Sequence, residues 1–375
     1  MTRTRPPALP AVAAPLAAAV ALAGCGVGTV EGQLPGSAPS ASPSSSPSPE
    51  PSPTAAVDPT LLPGMPPPLQ PDDVYAATSD GFAPAVQGFP ELIYVPNGAS
   101  GTVTVVDPRT KAVVATFPAG KVPQHVVPSY DLTTLWVNSS GSNTLTKMDP
   151  ATGSVIESIP VDDPYTLYFS CGRRSTPPAW GSTTPTSPAT GAPSSRAASS
   201  AASLLEVDTV AREITRTLDL PRGSKPQDVK LSPDGSVYFI AGLNRDGLVV
   251  LDAATFTVTG FIPTGAGAHG LYTSRDSRDL YLSNREEGTV SVLDLASRTV
   301  RATYRLPAGT SPNMGNLSGD GTTLWLSSRY GEHIYAMDMR TGETTATVRV
   351  GKGPHGLTVY PQPGRYSLGH TGILR

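Results

Sequence analysis

Short bursts of Val, Leu, Ile and Thr return along this chain at a nearly constant interval, and each group of bursts ends on an aspartate. The markers are Asp107, Asp149, Asp208, Asp252, Asp294 and Asp338, giving spacings of 42, 59, 44, 42 and 44 residues. In the unit that ends at Asp294, four runs have the length and alternation of strands. They are Gly270–Ser274, Leu280–Ser283, Thr289–Leu293 and Val300–Tyr304, here called A, B, C and D. Turn-forming residues separate them: Arg275-Asp-Ser-Arg before B, Glu287-Gly before C, and Asp294 with Ser297 before D. Helices cannot dominate, because 41 prolines and 37 glycines among 375 residues break helix interiors.

Four short strands in each 40 to 45 residues is the period of a propeller blade. The expected fold is therefore all-β, a β-propeller of four-stranded blades spanning 86–375. Each marker aspartate is expected to accept backbone N–H bonds in its C–D turn. Tyr94, Trp136, Tyr238, Tyr281 and Trp325 all fall in strand B, where they should pack between blades. The beats Leu92-Ile-Tyr-Val-Pro-Asn-Gly with Thr102-Val-Thr-Val-Val-Asp, and Leu280-Tyr-Leu-Ser-Asn-Arg with Thr289-Val-Ser-Val-Leu-Asp, resemble the YVTN-type seven-bladed repeat proteins, YncE-like and surface-layer-type. The resemblance carries the fold and leaves the activity open, since propellers host many unrelated functions.

Two irregularities qualify the ring. The first unit has B, C and D but no A, while His355-Gly-Leu-Thr-Val-Tyr360 is an A strand without its own B, C and D. Pairing residues 355–360 with the first unit would close the ring and remove two sheet edges. The 59-residue interval holds Ser170–Ala202, a low-complexity insertion without Val, Ile, Leu, Phe, Tyr or any acid. Such a run reads as irregular and cannot supply inward-facing strand residues, so one blade is damaged and the ring has six or seven. Tyr165–Phe169 and Leu204–Asp208 survive beside it as strands A and C.

The N-terminus reads differently. Met1–Arg5 carries two arginines, Ala8–Ala23 is uncharged and Ala-rich, and the stretch ends in Leu22-Ala-Gly-Cys25. Residues 1–24 have the layout of a secretory signal, and the ending resembles a bacterial lipobox. That resemblance implies lipid attachment at Cys25 and an exported protein held on the outer side of the cell membrane. Loss of residues 1–24 removes Arg3 and Arg5, leaving 25 basic against 30 acidic residues, net −5. Residues 25–85 form a linker, with thirteen prolines between Pro35 and Pro71. It cannot bury enough apolar surface to offset ordering entropy and is expected to be a disordered, semi-rigid stalk.

The chain is formally −3 with only 15% charged residues, which excludes a nucleic-acid binder acting through a broad basic surface. Gly265-Ala-Gly-Ala-His-Gly270 and Gly351-Lys-Gly-Pro-His-Gly356 match a dinucleotide pattern, but each lies between strand D and the next strand A with no helix after it. The candidate site is geometric instead. D–A and B–C loops share one face of a propeller, which brings His125, Asp228, His269, Arg285, Arg329 and His355 to one mouth of the channel. Two guanidiniums with imidazoles suit a small anion. The leading expectation is a membrane-tethered binding scaffold for such a ligand or an envelope protein. The alternative is an extracytoplasmic enzyme of lactonase or quinoprotein type using the same cluster. No catalytic residue is assigned, and no cofactor is predicted, with a metal or quinone left open. A mouth rich in His and Arg disfavours calcium, which takes oxygen ligands.

Overall fold

The computed structural model describes residues 66–79, 81–162, 164, 167, 178–181, 203–208, 213–221, 223–369 and 373–374. Residues 1–24 and Cys25 lie outside these residues, as does most of 170–202.

Among the described residues six blade sheets follow one another, five of them four-stranded. Blade two comprises Pro123–Pro128, Leu135–Ser139, Thr144–Met148 and Val155–Pro160. Blade four comprises Pro226–Leu231, Val237–Gly242, Gly247–Asp252 and Thr257–Pro263. Blade five comprises Ala268–Thr273, Asp279–Asn284, Thr289–Asp294 and Thr299–Arg305, each within two residues of its sequence assignment. Blade six comprises Pro312–Leu317, Thr323–Ser328, His333–Asp338 and Thr344–Arg349. Blade one takes Leu92–Asn97, Thr102–Asp107 and Ala112–Pro118 from one end of the propeller. Its inner strand, Thr358–Tyr360, comes from the other and pairs antiparallel with Leu92–Tyr94.

The burial pattern explains the layering. Strands B and C are apolar on both faces because each sheet is packed between two others, as in Val237–Gly242, where every residue is buried. The outer D strands alternate exposed and half-buried residues, as in Thr299–Arg305. The five strand-B aromatics are buried. Tyr94 of blade one donates its hydroxyl to Pro150 O of blade two, and Trp325 of blade six packs with Ile93 and Val95 of blade one.

The turns are built from short polar side chains. Asp107, Asp149, Asp252, Asp294 and Asp338 accept N–H bonds from the residues two or three positions on, at 2.7–2.8 Å for the shortest in each turn. These bonds hold the carboxyls of Asp252, Asp294 and Asp338 below the usual range. A second device was not anticipated. Each of four A–B turns carries Ser-x-Asp, in which Ser129, Ser232, Ser274 and Ser318 donate to Asp131, Asp234, Asp276 and Asp320 at 2.5–2.6 Å. The recurrence of Ser-x-Asp before strand B was visible in the sequence, but the marker aspartates masked it.

Two expectations are corrected. The insertion does contribute a strand: Pro178–Gly181 pairs antiparallel with Ser203–Asp208, which pairs in turn with Glu213–Asp219. Backbone pairing needs no apolar side chain, so composition misled. The linker also ends before residue 85. Val74, Tyr75, Ala76 and Ala77 are buried, Val74 N donates to Pro233 O at 2.9 Å and the Tyr75 hydroxyl to Leu231 O at 2.9 Å. Val86 is buried against blades one and two. Four apolar side chains in a row at 74–77 are enough to dock, although prolines surround them. No helix of the described residues is long and apolar enough to cross a membrane.

Candidate functional site

Equivalent positions explain how the candidate residues meet. The residue that follows strand B in blades five and six is arginine, and its N–H donates to the D–A connector of the same blade. Arg285 N bonds Gly267 O at 2.8 Å and Arg329 N bonds Ser311 O at 2.9 Å. In blades one, two and four the same position is Gly98, Ser140 and Leu243, bonded in the same way. The D–A and B–C loops therefore do share a face, and two adjacent blades place a guanidinium there.

Inside that face lie the imidazoles. His269 and His355 occupy the same register at the start of strand A in blades five and one, with Asn313 between them in blade six. His125 of blade two meets His355, ring centres 4.7 Å apart and planes tilted by 34°. The His355 Nδ1 lies 3.0 Å from Gln124 O, and His125 N donates to Asn138 Oδ1 at 2.9 Å. Gly356 permits the approach: a Cβ there would fall 2.2 Å from Cδ2 of His125. Strand A of blade one also bonds strand A of blade two directly, through Val126 N to Gly356 O at 3.0 Å and Gly356 N to Gln124 O at 2.8 Å.

All three histidines are buried, about 1% exposed. Burial pushes His125 down to about 3, with the Arg329 charge adding to it. His269 and His355 are also held well below the usual value by burial, then by Arg285 and His125 respectively, and by Arg329 on both. The three rings are neutral at physiological pH.

Asp228 is not part of this cluster. Its carboxylate accepts Val229 N at 2.8 Å and Leu271 N at 2.9 Å, clasping blade four to blade five. Beside it Lys230 is buried, and burial lowers its ammonium to about 8 against the opposing pull of Asp228. A similar clasp joins blades five and six, where Tyr272 accepts Gly315 N at 2.8 Å. Asp228 follows a D–A connector but stands one register position past His269 and Asn313, level with Gly270 and Met314, and its carboxylate reaches the neighbouring strand.

What remains is an uncompensated sector. Among the described residues neither Arg285 nor Arg329 forms an ion pair. The Arg285 guanidinium sits 5.9 Å from the ring centre of Tyr330, a side chain that is 79% exposed. Among the described residues Arg285 Nε, His269 Nδ1 and both amide atoms of Asn313 are buried without a hydrogen-bond partner. Buried polar atoms without partners are uncommon in native proteins and mark an unfilled demand. Strand order alone places Asn313 among the D–A positions at this mouth, but its unmet amide, like the approach of Tyr330 to Arg285, is visible only in three dimensions.

One tempting alternative closes. The N–H groups of Gly265, Ala266 and Gly267 are taken by Asn284, Glu287 and Asp246 at 2.9–3.1 Å, so this connector is no phosphate cradle. Among the described residues no group of three or more His, Cys, Asp or Glu is arranged to hold a metal ion.

Residues 187–364 match the YNCE-like beta-propeller family. No curated protein matches the chain. Solved structures with a similar fold include a functionally unknown protein from Desulfotomaculum acetoxidans, 14% identical, with TM-score 0.50 over 72% of this chain and 98% of that one. A putative 6-phosphogluconolactonase from Bacteroides uniformis is 17% identical, with TM-score 0.50 over 72% of this chain and all of the other. The dihydro-heme d1 dehydrogenase NirN, in complex with DHE, is 13% identical, with TM-score 0.50 over 74% of this chain and 77% of its own. These likenesses concern fold alone, and unknown and enzyme-like propellers stand side by side among them. The chain folds as a β-propeller, and its likeness to the YNCE-like family covers residues 187–364.

Proposed function

We propose that this propeller is a binding protein that takes a small anion between Arg285 and Arg329, beside the neutral side chains of His269, Asn313 and His355. The observation that carries the reading is the pairing of two guanidiniums lacking carboxylates with buried polar atoms lacking partners. An anion with hydrogen-bonding groups of its own would satisfy both at once. The alternative, acid–base catalysis, is less well supported. A general base works best with a pKa near the working pH, and His125, at about 3, is a weak one. Metal analysis and an absorption spectrum of the purified protein test the metal and quinone forms of that alternative.

The test of the binding reading is a melting experiment at fixed ionic strength. Citrate or phosphate should raise the melting temperature of the full chain above that in chloride. Equal melting in all three salts would sink the reading.

The tether belongs to the same proposal. Cys25 would carry a lipid on the outer side of the cell membrane, and the proline-rich stalk would hold the propeller away from it. Cys25→Ser should then move the protein from the membrane fraction to the soluble fraction, whereas a variant that stays bound contradicts the anchor.

A further inference from the structure

Proline-rich chain is usually a spacer, yet here its last prolines are gripped. Pro66 and Pro67 each precede a proline, which fixes both in the extended polyproline conformation and leaves their carbonyls without internal partners. Both carbonyls are taken by the C-terminal tail. Arg365 Nη2 donates to Pro67 O at 2.7 Å, and the Tyr366 hydroxyl donates to Pro66 O at 3.3 Å.

The donors are held in a prepared arrangement. Tyr366 is buried and stacks on Tyr130 of the blade-two A–B turn, ring centres 5.2 Å apart and planes 23° from parallel. Ser367 N donates to Tyr130 O at 3.0 Å, which fixes the tail against that turn. The Arg365 guanidinium lies 5.6 Å from the ring centre of Tyr366, and its Nε is buried with no partner among the described residues, a spare donor beside those already used. Flat tyrosines, a hydroxyl donor and a guanidinium that cannot accept are the chemistry that recognises extended proline segments. We infer that Tyr130, Arg365 and Tyr366 form a recognition cleft for a proline-rich extended segment, with Pro66–Pro67 as its resident occupant. The tether is thereby clamped to the propeller, and any other proline-rich segment must compete with it.

The test vacates the cleft. In the full chain, Pro66→Ser, Pro67→Ser and Pro68→Ser are made together, and a fluorescent peptide of the sequence Met65–Gln70 is titrated in. The vacated variant should bind the peptide at least about tenfold more tightly than the wild type, whose own segment competes at an effective concentration of order millimolar. Adding Arg365→Ala or Tyr366→Phe should reverse that gain. Both changes spare the Tyr366 ring and its stack, and unchanged melting confirms that the fold is intact. A peptide with alanine for every proline should not bind. Equal affinity of the wild type and the vacated variant would overturn the inference, as would binding that survives both Arg365→Ala and Tyr366→Phe.

Discussion

Blades five and three follow the same strand pattern and are held in the ring by different means. Blade five has all four strands, and its inner strand is clasped on both sides, by Asp228 from blade four and through Tyr272 to blade six. Blade three shows three strands among the described residues. Its attachment to blade four uses parts from outside the repeat. Val74 and Tyr75 join Leu204 and Leu220 in one core with Val229, Leu231 and Tyr238. Arg216 of blade three bonds Glu206 and reaches across to Ala254 O at 2.9 Å, with its guanidinium 4.9 Å from the ring centre of Phe256. The lesson is that a ring can lose regular pairing in one blade if side chains and a borrowed segment cover the exposed core. The candidate site lies in the other half, on blades five, six and one, where the repeat is intact and the geometry can be kept exact enough to place two guanidiniums alike.

The two halves should fail under different stresses, acid against one and loss of the borrowed segment against the other. Three buried neutral histidines make the site half acid-sensitive. Their folded pKa values lie below the unfolded value of about 6.5, so below that pH the unfolded chain binds more protons. Stability is therefore complete above about pH 6.5 and falls as the pH drops towards the folded values. Each ring contributes up to about 1.4 kcal/mol per pH unit, roughly 4 kcal/mol per unit for the three. Denaturant melts at pH 7, 6 and 5 check this, and His269→Asn should remove about a third of the slope.

Next in size is Tyr75→Ala, which empties the seam between blades three and four. It should cost about 3–5 kcal/mol, as for other large buried aromatics. Hydrogen exchange should quicken at Leu204 and Val229 and stay unchanged at Leu326 of blade six. Uniform quickening around the ring would erase the distinction between the halves.

Gly356→Ala strikes the inner edge of the site half. Its Cβ would collide with His125, and overpacking of this kind costs about 1–3 kcal/mol. The ring signals of His125 and His355 in nitrogen NMR should both shift, while those of the blade-three amides stay in place.

The sequence made the scaffold legible because a blade is local: four runs, their turns and a marker aspartate lie within 45 residues. Blade five was assigned to within two residues at each strand end for that reason. The facing loops were legible too, since strand direction alone puts Arg285 and Arg329 on one face. What could not be read depended on distant parts of the chain. Burial of His269 and His355 follows from strands of three blades converging, and the reach of Asp228 to Leu271 N from a one-residue difference in register. The docking of 74–77 was hidden by the prolines around it, and the strand at Pro178–Gly181 by a composition that favours none.

Calorimetric titration of citrate into the full chain and into an Arg285→Ala/Arg329→Ala double variant tests the central claim most directly. The account predicts saturable one-to-one binding to the wild type. The variant should lose at least 1.5–3 kcal/mol, about a tenfold to hundredfold weakening, the usual worth of one hydrogen bond to a charged group. Its folding should change by no more than about 0.5 kcal/mol, as expected for half-exposed loop side chains without ion-pair partners. Identical heats in the two proteins would contradict the account. So would a double variant that melts several degrees lower, because the arginines would then be struts between blades and the sector would be structure alone.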